Sequence, residues 1–214
     1  MKELENMVAE KLLKINAVKV QPSNPFTWAS GWKSPIYCDN RKTLSYPEVR
    51  TLIKVELARL IREKYNQVDV IAGVATGAIA QGAMIADELG LPFIYIRSSP
   101  KGHGMENLVE GDLKPGQKVV IIEDLISTGG SSLKAVEAVR NGGGEVLGMM
   151  AIFTYGFPVA AEQFKAANVE LTTLSNYEAV LEHLLKTEFI GKEEMETLQE
   201  WRKDPANWST GKII

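Results

Sequence analysis

Lys118-Val-Val-Ile-Ile-Glu-Asp-Leu-Ile-Ser-Thr-Gly-Gly-Ser-Ser132 is the stretch from which the rest of the chain can be read. Val119 to Ile122 is a short β-branched run without a polar member, as in a strand buried on both faces of a parallel sheet. Glu123 and Asp124 close that strand, where burying carboxylates is costly unless they serve a site. Ser127, Thr128, Gly129, Gly130 and Ser131 follow, and then Leu133, Val136 and Val139 at helical spacing. Strand, acidic pair, turn of hydroxyls and glycines, helix: this order builds an anion site. The glycines let backbone N–H groups come close, the hydroxyls donate, and the helix start carries partial positive charge. Carboxylates beside such a cradle repel phosphate, so they are expected to hold sugar hydroxyls or a hydrated cation. The ligand expected here is a phosphorylated ribose. No lysine follows the glycines as in a P-loop, and the G-x-G-x-x-G dinucleotide turn is absent.

Strands and helices alternate on both sides of this stretch. Val68 to Val74 reads as a strand, Ala75 to Ala78 as a turn, and Ile79, Met84, Ile85 and Leu89 as a helix stopped by Gly90. Pro92 to Arg97 is the next strand, completing a right-handed βαβ unit. Downstream, Glu145–Phe153 and Val169–Leu174 read as strands and Phe157–Ala167 as a helix. Two amphipathic helices follow, Asn176–Lys186 and Lys192–Lys203, with Leu181, Leu184, Leu185, Met195 and Leu198 expected on their inner faces. Upstream, Pro47 opens a helix carrying Val49, Leu52, Ile53, Leu57, Leu60 and Ile61. Leu4, Met7, Val8, Leu12 and Ile15 mark an N-terminal helix that caps the sheet. Between these two helices, Pro22, Pro25 and Pro35 rule out a helix, so short strands and turns forming a hood are expected. The fold class is α/β, with a mainly parallel central sheet flanked by helices. One domain spanning 1–214 is expected, with the hood at about 1–45 and the core at about 46–214.

Three further segments bear on chemistry. The Gly73–Gly77 turn ends a strand at its carboxyl side, where open α/β sheets bind ligands; packing alone also explains its small residues. Ser98-Ser-Pro-Lys-Gly-His-Gly-Met-Glu-Asn107 has no apolar periodicity and reads as a long exposed loop. Lys101 and His103 within it are placed to fold over an anionic substrate and exclude water, if the loop is more than solvated surface. Phe26 to Arg41 is dense in aromatics and polar tips, and is either a satellite core or a wall against a flat heteroaromatic ligand. Cys38 in that run has no activating partner and is not read as a nucleophile. His183 is read as structural, Glu193-Glu194 as a solvated first turn, and Asp204–Ile214 carries no reading.

The 214 residues are 45% hydrophobic and 24% charged, ordinary for a globular chain. A net charge of −3 speaks against nucleic acid as the main partner. Cys38 is the sole cysteine, which precludes an intrachain disulfide and fits a reducing cytoplasm. With no basic-then-apolar leader and no long apolar run, neither export nor a membrane is expected.

The run Val119–Ser131 resembles the phosphoribosyl diphosphate (PRPP) signature of type I phosphoribosyltransferases. The segment Phe26-Thr-x-x-Ser-Gly-x-x-Ser-Pro35 and the run Arg97-x-x-x-Lys101-x-His103-Gly104 are similar to the hood and catalytic loop of the orotate phosphoribosyltransferases in that family. The resemblance implies the type I phosphoribosyltransferase fold and a reaction in which PRPP and orotate, with Mg²⁺, give orotidine 5-monophosphate and diphosphate for UMP synthesis. It implies PRPP binding by Arg97, Lys101, His103, Glu123, Asp124, Leu125, Ile126, Ser127, Thr128, Gly129, Gly130 and Ser131. Lys101, His103 and Asp124 are the implied catalytic residues, and Ser127, Tyr37 and Cys38 the implied orotate contacts. The metal is expected on the diphosphate and ribose, reaching Glu123 and Asp124 through water. A homodimer is implied, its arm Arg97–His103 acting in the neighbouring subunit's site. Four places depart from the pattern of many members: Ala29 for a Lys, Thr76-Gly77 for Tyr-Lys, Ser98 for a second basic residue, and Tyr155 near an Arg. A transferase for another base, or a PRPP-sensing DNA-binding regulator, are the competing readings; the regulator needs a basic helix-turn-helix that this sequence lacks.

Overall fold

Alternation of two apolar faces along each central strand is what builds this molecule. The computed structural model describes residues 1–28, 31–99 and 108–208. In chain order these are α1 (Lys2–Lys14), β1 (Val18–Val20), β2 (Phe26–Thr27), β3 (Lys33–Ser34), β4 (Ile36–Cys38), a 3₁₀ turn (Asn40–Ser45), α2 (Pro47–Lys64), β5 (Val70–Val74), α3 (Ile79–Leu89) and β6 (Phe93–Ile96). Then come β7 (Val109–Glu110), β8 (Lys118–Ile126), α4 (Gly130–Asn141), β9 (Glu145–Thr154), α5 (Pro158–Ala166), β10 (Leu171–Asn176), α6 (Tyr177–Lys186) and α7 (Lys192–Lys203). On β8, Val120 and Ile122 face one core with α1, α2, α3, α6 and α7, while Val119 and Ile121 face a second with α4 and α5. Fully burying each such side chain contributes on the order of 2 kcal/mol. The β-branched run is therefore a central strand because both of its faces are covered.

The main sheet runs β10-β9-β8-β5-β6-β7, all parallel except β7, which pairs antiparallel with β6. From β5 the chain steps to β6 on one side and then to β8 on the other. The strand order reverses between β5 and β8, and their carboxyl ends open a crevice there. Helix α3, leaving β5, packs in one core, and α4, leaving β8, packs in the other. The Gly73–Gly77 turn and the Ser127–Ser131 turn thus face each other across one gap.

Some expectations change. The central strand does not stop at the acids: β8 continues through Glu123 and Asp124 to Ile126, because Leu125 and Ile126 keep pairing with Phe153 and Thr154 of β9. β7 was not foreseen; two residues are too few for a periodic signal. Met7 and Leu185, expected inside, are 40% and 45% exposed, since each lies just off its helix's buried stripe. The hood consists of two small antiparallel ribbons, β1 with β4 and β2 with β3. Helix α7 braces it: the Trp201 indole N–H donates to the Lys33 carbonyl at 3.1 Å, and its ring sits 5.7 Å from Trp28. No helix among the described residues is long and apolar enough to cross a membrane.

Candidate active site

A cavity of about 680 Å³ occupies the crevice between β5 and β8. Its walls include Cys38 and Asp39 from the hood, Thr76 and Gly77 after β5, Asp124 on β8, and Ser127, Thr128, Gly129 and Ser131 ahead of α4. The sequence pattern explains the last group. Gly129 holds φ at +90°, a left-handed conformation that turns the chain from strand into helix and that other residues adopt only with strain. No side chain caps the first turn of α4, so the N–H groups at its start have no protein partner from a cap. Hydroxyls and open amides thus meet at one point, where an anion is favoured.

The two acids have separate surroundings. Glu123 is 5% exposed, and its oxygens accept from the Ser132 hydroxyl at 2.9 Å and the Asp124 N–H at 3.0 Å. Burial, and then the charge of Asp124, push its carboxyl up to about 8, so it is largely protonated at neutral pH. Asp124 is half-buried and open to the cavity. Its carbonyl accepts from the Asn40 amide at 2.6 Å, and Asn40 in turn accepts from the Cys38 thiol at 3.3 Å. Asn40, itself 2% exposed, therefore ties the hood to the acid on β8. Gly77 lies against the Asp124 carboxylate so closely that a Cβ there would stand 2.2 Å from Oδ2.

Neutral Glu123 makes stability depend on pH with a definite sign. Its folded value of about 8 lies above its ordinary value of 4.5. The stability contributed by the neutral form is complete below that ordinary value and is lost as pH rises toward the folded one. Glu123→Gln, which stays neutral, is expected to melt increasingly above the natural protein as pH rises from 5 to 8.5, by several degrees or about 1–2 kcal/mol at the upper end. Melting curves that keep a constant offset across that range would show that Glu123 does not titrate there.

Of the residues expected at the site, Cys38, Arg97, Glu123, Asp124, Leu125, Ser127, Thr128, Gly129 and Ser131 line this one cavity, and Gly130 opens the adjoining helix. Ile126 stands apart: its side chain is fully buried in the α4–α5 core, and its carbonyl accepts from the Tyr155 N–H. Tyr37 also faces away from the cavity, because the alternation of β4 turns Ile36 and Cys38 inward and Tyr37 out against Phe26. Lys101, His103 and Ala29 lie outside the described residues. Arg97 forms an ion pair with Glu110 across the β6–β7 hairpin at 3.3 Å. The Cys38 thiol is pushed well up by burial and by nearby Asp124, which keeps it an unreactive wall. Tyr155, 2% exposed, belongs to a ring cluster with Trp28, Phe157 and Trp201 beneath the hood.

Sequence reasoning missed Asp39, Asn40, Arg41, Ser132 and Lys134. Arg41 binds Asp39 through two bonds, 2.7 and 3.1 Å, a local i, i+2 pairing that the bare sequence cannot distinguish from solvated charges. Ser132 was within the quoted stretch, but only the fold shows that it points back to Glu123. Among the described residues no three His, Cys, Asp or Glu side chains cluster as a metal cage. The open carboxylate of Asp124 still fits Mg²⁺, which keeps much of its water and takes few protein carboxylates beside substrate phosphates.

Crevice, anion cradle and acid pair define a transferase of phosphorylated ribose, and a family model described as phosphoribosyl transferase domain matches residues 47–183. An orotate phosphoribosyltransferase of Phocaeicola vulgatus is 68% identical over 212 residues, covering 99% of this chain and all of that protein. The crystal structure of orotate phosphoribosyltransferase from Aeropyrum pernix superposes with a TM-score of 0.75 at 30% identity, over 86% of this chain and all of that one. That from Mycobacterium tuberculosis in complex with PRPP gives 0.63 at 25% identity, over 83% of this chain and 98% of that one. The chain belongs to the orotate phosphoribosyltransferase family.

Proposed function

We infer that this chain transfers the 5-phosphoribosyl group of PRPP to orotate, giving orotidine 5-monophosphate and diphosphate in pyrimidine synthesis. The observation that carries this is the anion cradle at the start of α4 set beside an open carboxylate at the strand-order reversal. The bond from the anomeric carbon to the diphosphate oxygen breaks, and a bond from a ring nitrogen of orotate to that carbon forms as that nitrogen gives up its proton. Diphosphate leaves with the electron pair, so positive charge develops on the ribose ring and negative charge on the departing group. Residues Ser127 to Ser131 anchor the 5-phosphate, which spends remote binding energy on positioning the ring. Asp124 holds ribose hydroxyls, and its charge favours the cationic ring. Glu123, beneath it in the same cavity wall, fixes the Asp124 backbone and joins it in holding the ribose. Ser127 and Cys38 face the acceptor base, and Tyr37, turned outward against Phe26, takes no part.

Asp124 would hold Mg²⁺ through water, and the metal would supply positive charge against the departing diphosphate. Arg97, Lys101 and His103 donate to the same group, with greatest effect where their interaction strengthens in the transition state. Arg97 serves the cavity of its own chain, whereas the arm bearing Lys101 and His103 reaches the partner subunit's site, so the working unit is a homodimer, with each 214-residue chain a single domain, in the cytoplasm. The reading is tested by incubating the protein with Mg²⁺, PRPP and orotate while following orotate absorbance. Consumption of orotate that requires PRPP is expected. No consumption of orotate, alongside diphosphate release with a purine or uracil, would reassign the acceptor.

A further inference from the structure

Among the described residues, three cationic side chains line the cavity: Arg41, Arg97 and Lys134. Two are neutralised by neighbours, Arg41 by Asp39 and Arg97 by Glu110. Lys134 has no ion-pair partner among the described residues; Glu137, the carboxylate one turn along its helix, is engaged with Arg140. Its position in the helix fixes where its charge can go. Residue 134 stands three and four places after Ser131 and Gly130, so it shares their face of α4. Side chains on a helix tilt toward its N-terminus, which carries Lys134 back over the turn formed by Gly130 and Ser131. The opposite face, with Ser132, Ala135, Val136 and Val139, is buried. A cation that is exposed, and unpaired among the described residues, thus lines the same cavity as the hydroxyls and open amides of the cradle.

We propose that Lys134 is a further binding residue of this site, contributing a direct charge contact to the 5-phosphate of PRPP and of the nucleotide product. The proposal rests on the functional reading above, since it takes the cradle to be the 5-phosphate subsite. It also names a subsite: Lys134 acts on the phosphate that remains on the ribose, not on the diphosphate that leaves. A lysine in this role is a point charge on a flexible stem, so arginine can replace it, whereas glutamine cannot.

Calorimetric titration of the full chain with ribose 5-phosphate, and separately with diphosphate and Mg²⁺, tests this. Lys134→Gln is expected to weaken ribose 5-phosphate about fivefold, as for one exposed charge pair, and less in high salt. Diphosphate affinity is expected to stay unchanged, and Lys134→Arg to restore ribose 5-phosphate binding. Equal affinity of Lys134→Gln and the natural protein for ribose 5-phosphate would overturn the proposal, as would equal weakening of both ligands, which would mark a diffuse field. If the natural protein bound diphosphate but no ribose 5-phosphate, the underlying assignment of the cradle would fail first, and this inference with it.

Discussion

Asp124→Asn is expected to lower kcat/KM for PRPP by roughly 10², the size of loss seen when one electrostatic stabiliser of a charged transition state is removed. Asparagine keeps the shape of the side chain, and the backbone bond from Asn40 to residue 124 does not depend on the carboxylate. The substitution therefore removes charge and little else. Part of the loss should appear as weaker PRPP binding, because a neutral amide accepts ribose hydroxyl bonds less strongly than a carboxylate. The remainder should appear in kcat, because only the charged form favours a ring that becomes cationic. Steady-state kinetics with both substrates varied, beside a thermal melt, check this. An unchanged kcat/KM for PRPP in a folded variant would take Asp124 out of the mechanism.

Gly77→Ala should injure the same function from the opposite loop. A Cβ at that position would lie 2.2 Å from Oδ2 of Asp124, 2.4 Å from Cγ and 2.7 Å from Oδ1. Contacts that short cannot be kept, and the short carboxylate side chain swings away more cheaply than the turn after β5 moves off β8. The expected result is a protein that melts near the natural one yet loses about tenfold or more in kcat/KM for PRPP, a cost typical of misplacing one reacting group. Normal activity with normal stability would mean that the close approach of Gly77 to Asp124 does not matter to catalysis. This approach also gives physical content to the departure at Thr76-Gly77: with Asp124 where it stands, residue 77 has no room for a side chain.

The architecture was legible because its signals are local and repeated. Val119–Ile122 announces a doubly covered strand, and Leu133, Val136 and Val139 announce the helix after it. The turn ahead of α4 was legible for the same reason, since its hydroxyls and glycines are contiguous in sequence. What the sequence hid is what depends on contacts between distant segments. Asn40 looks like any polar turn residue until the fold places it under the Asp124 carbonyl, 84 positions away. Glu123 and Asp124 look like equals, yet one is buried against Ser132 while the other meets the cavity. Ile126 reads from the sequence as part of the binding loop, because the acids look like the end of the strand, whereas pairing with Thr154 carries it into the sheet. Lys134 looks like any lysine on a helix surface, and only its neighbours' ion pairs leave it as the uncommitted cation among the described residues of the cavity.

A crystal grown or soaked with ribose 5-phosphate gives the most direct view of the central assignment. The phosphate should lie about 3 Å from the N–H groups and hydroxyls that open α4, with the sugar hydroxyls turned to Asp124. The ligand bound elsewhere, with the crevice between β5 and β8 left to solvent, would contradict it.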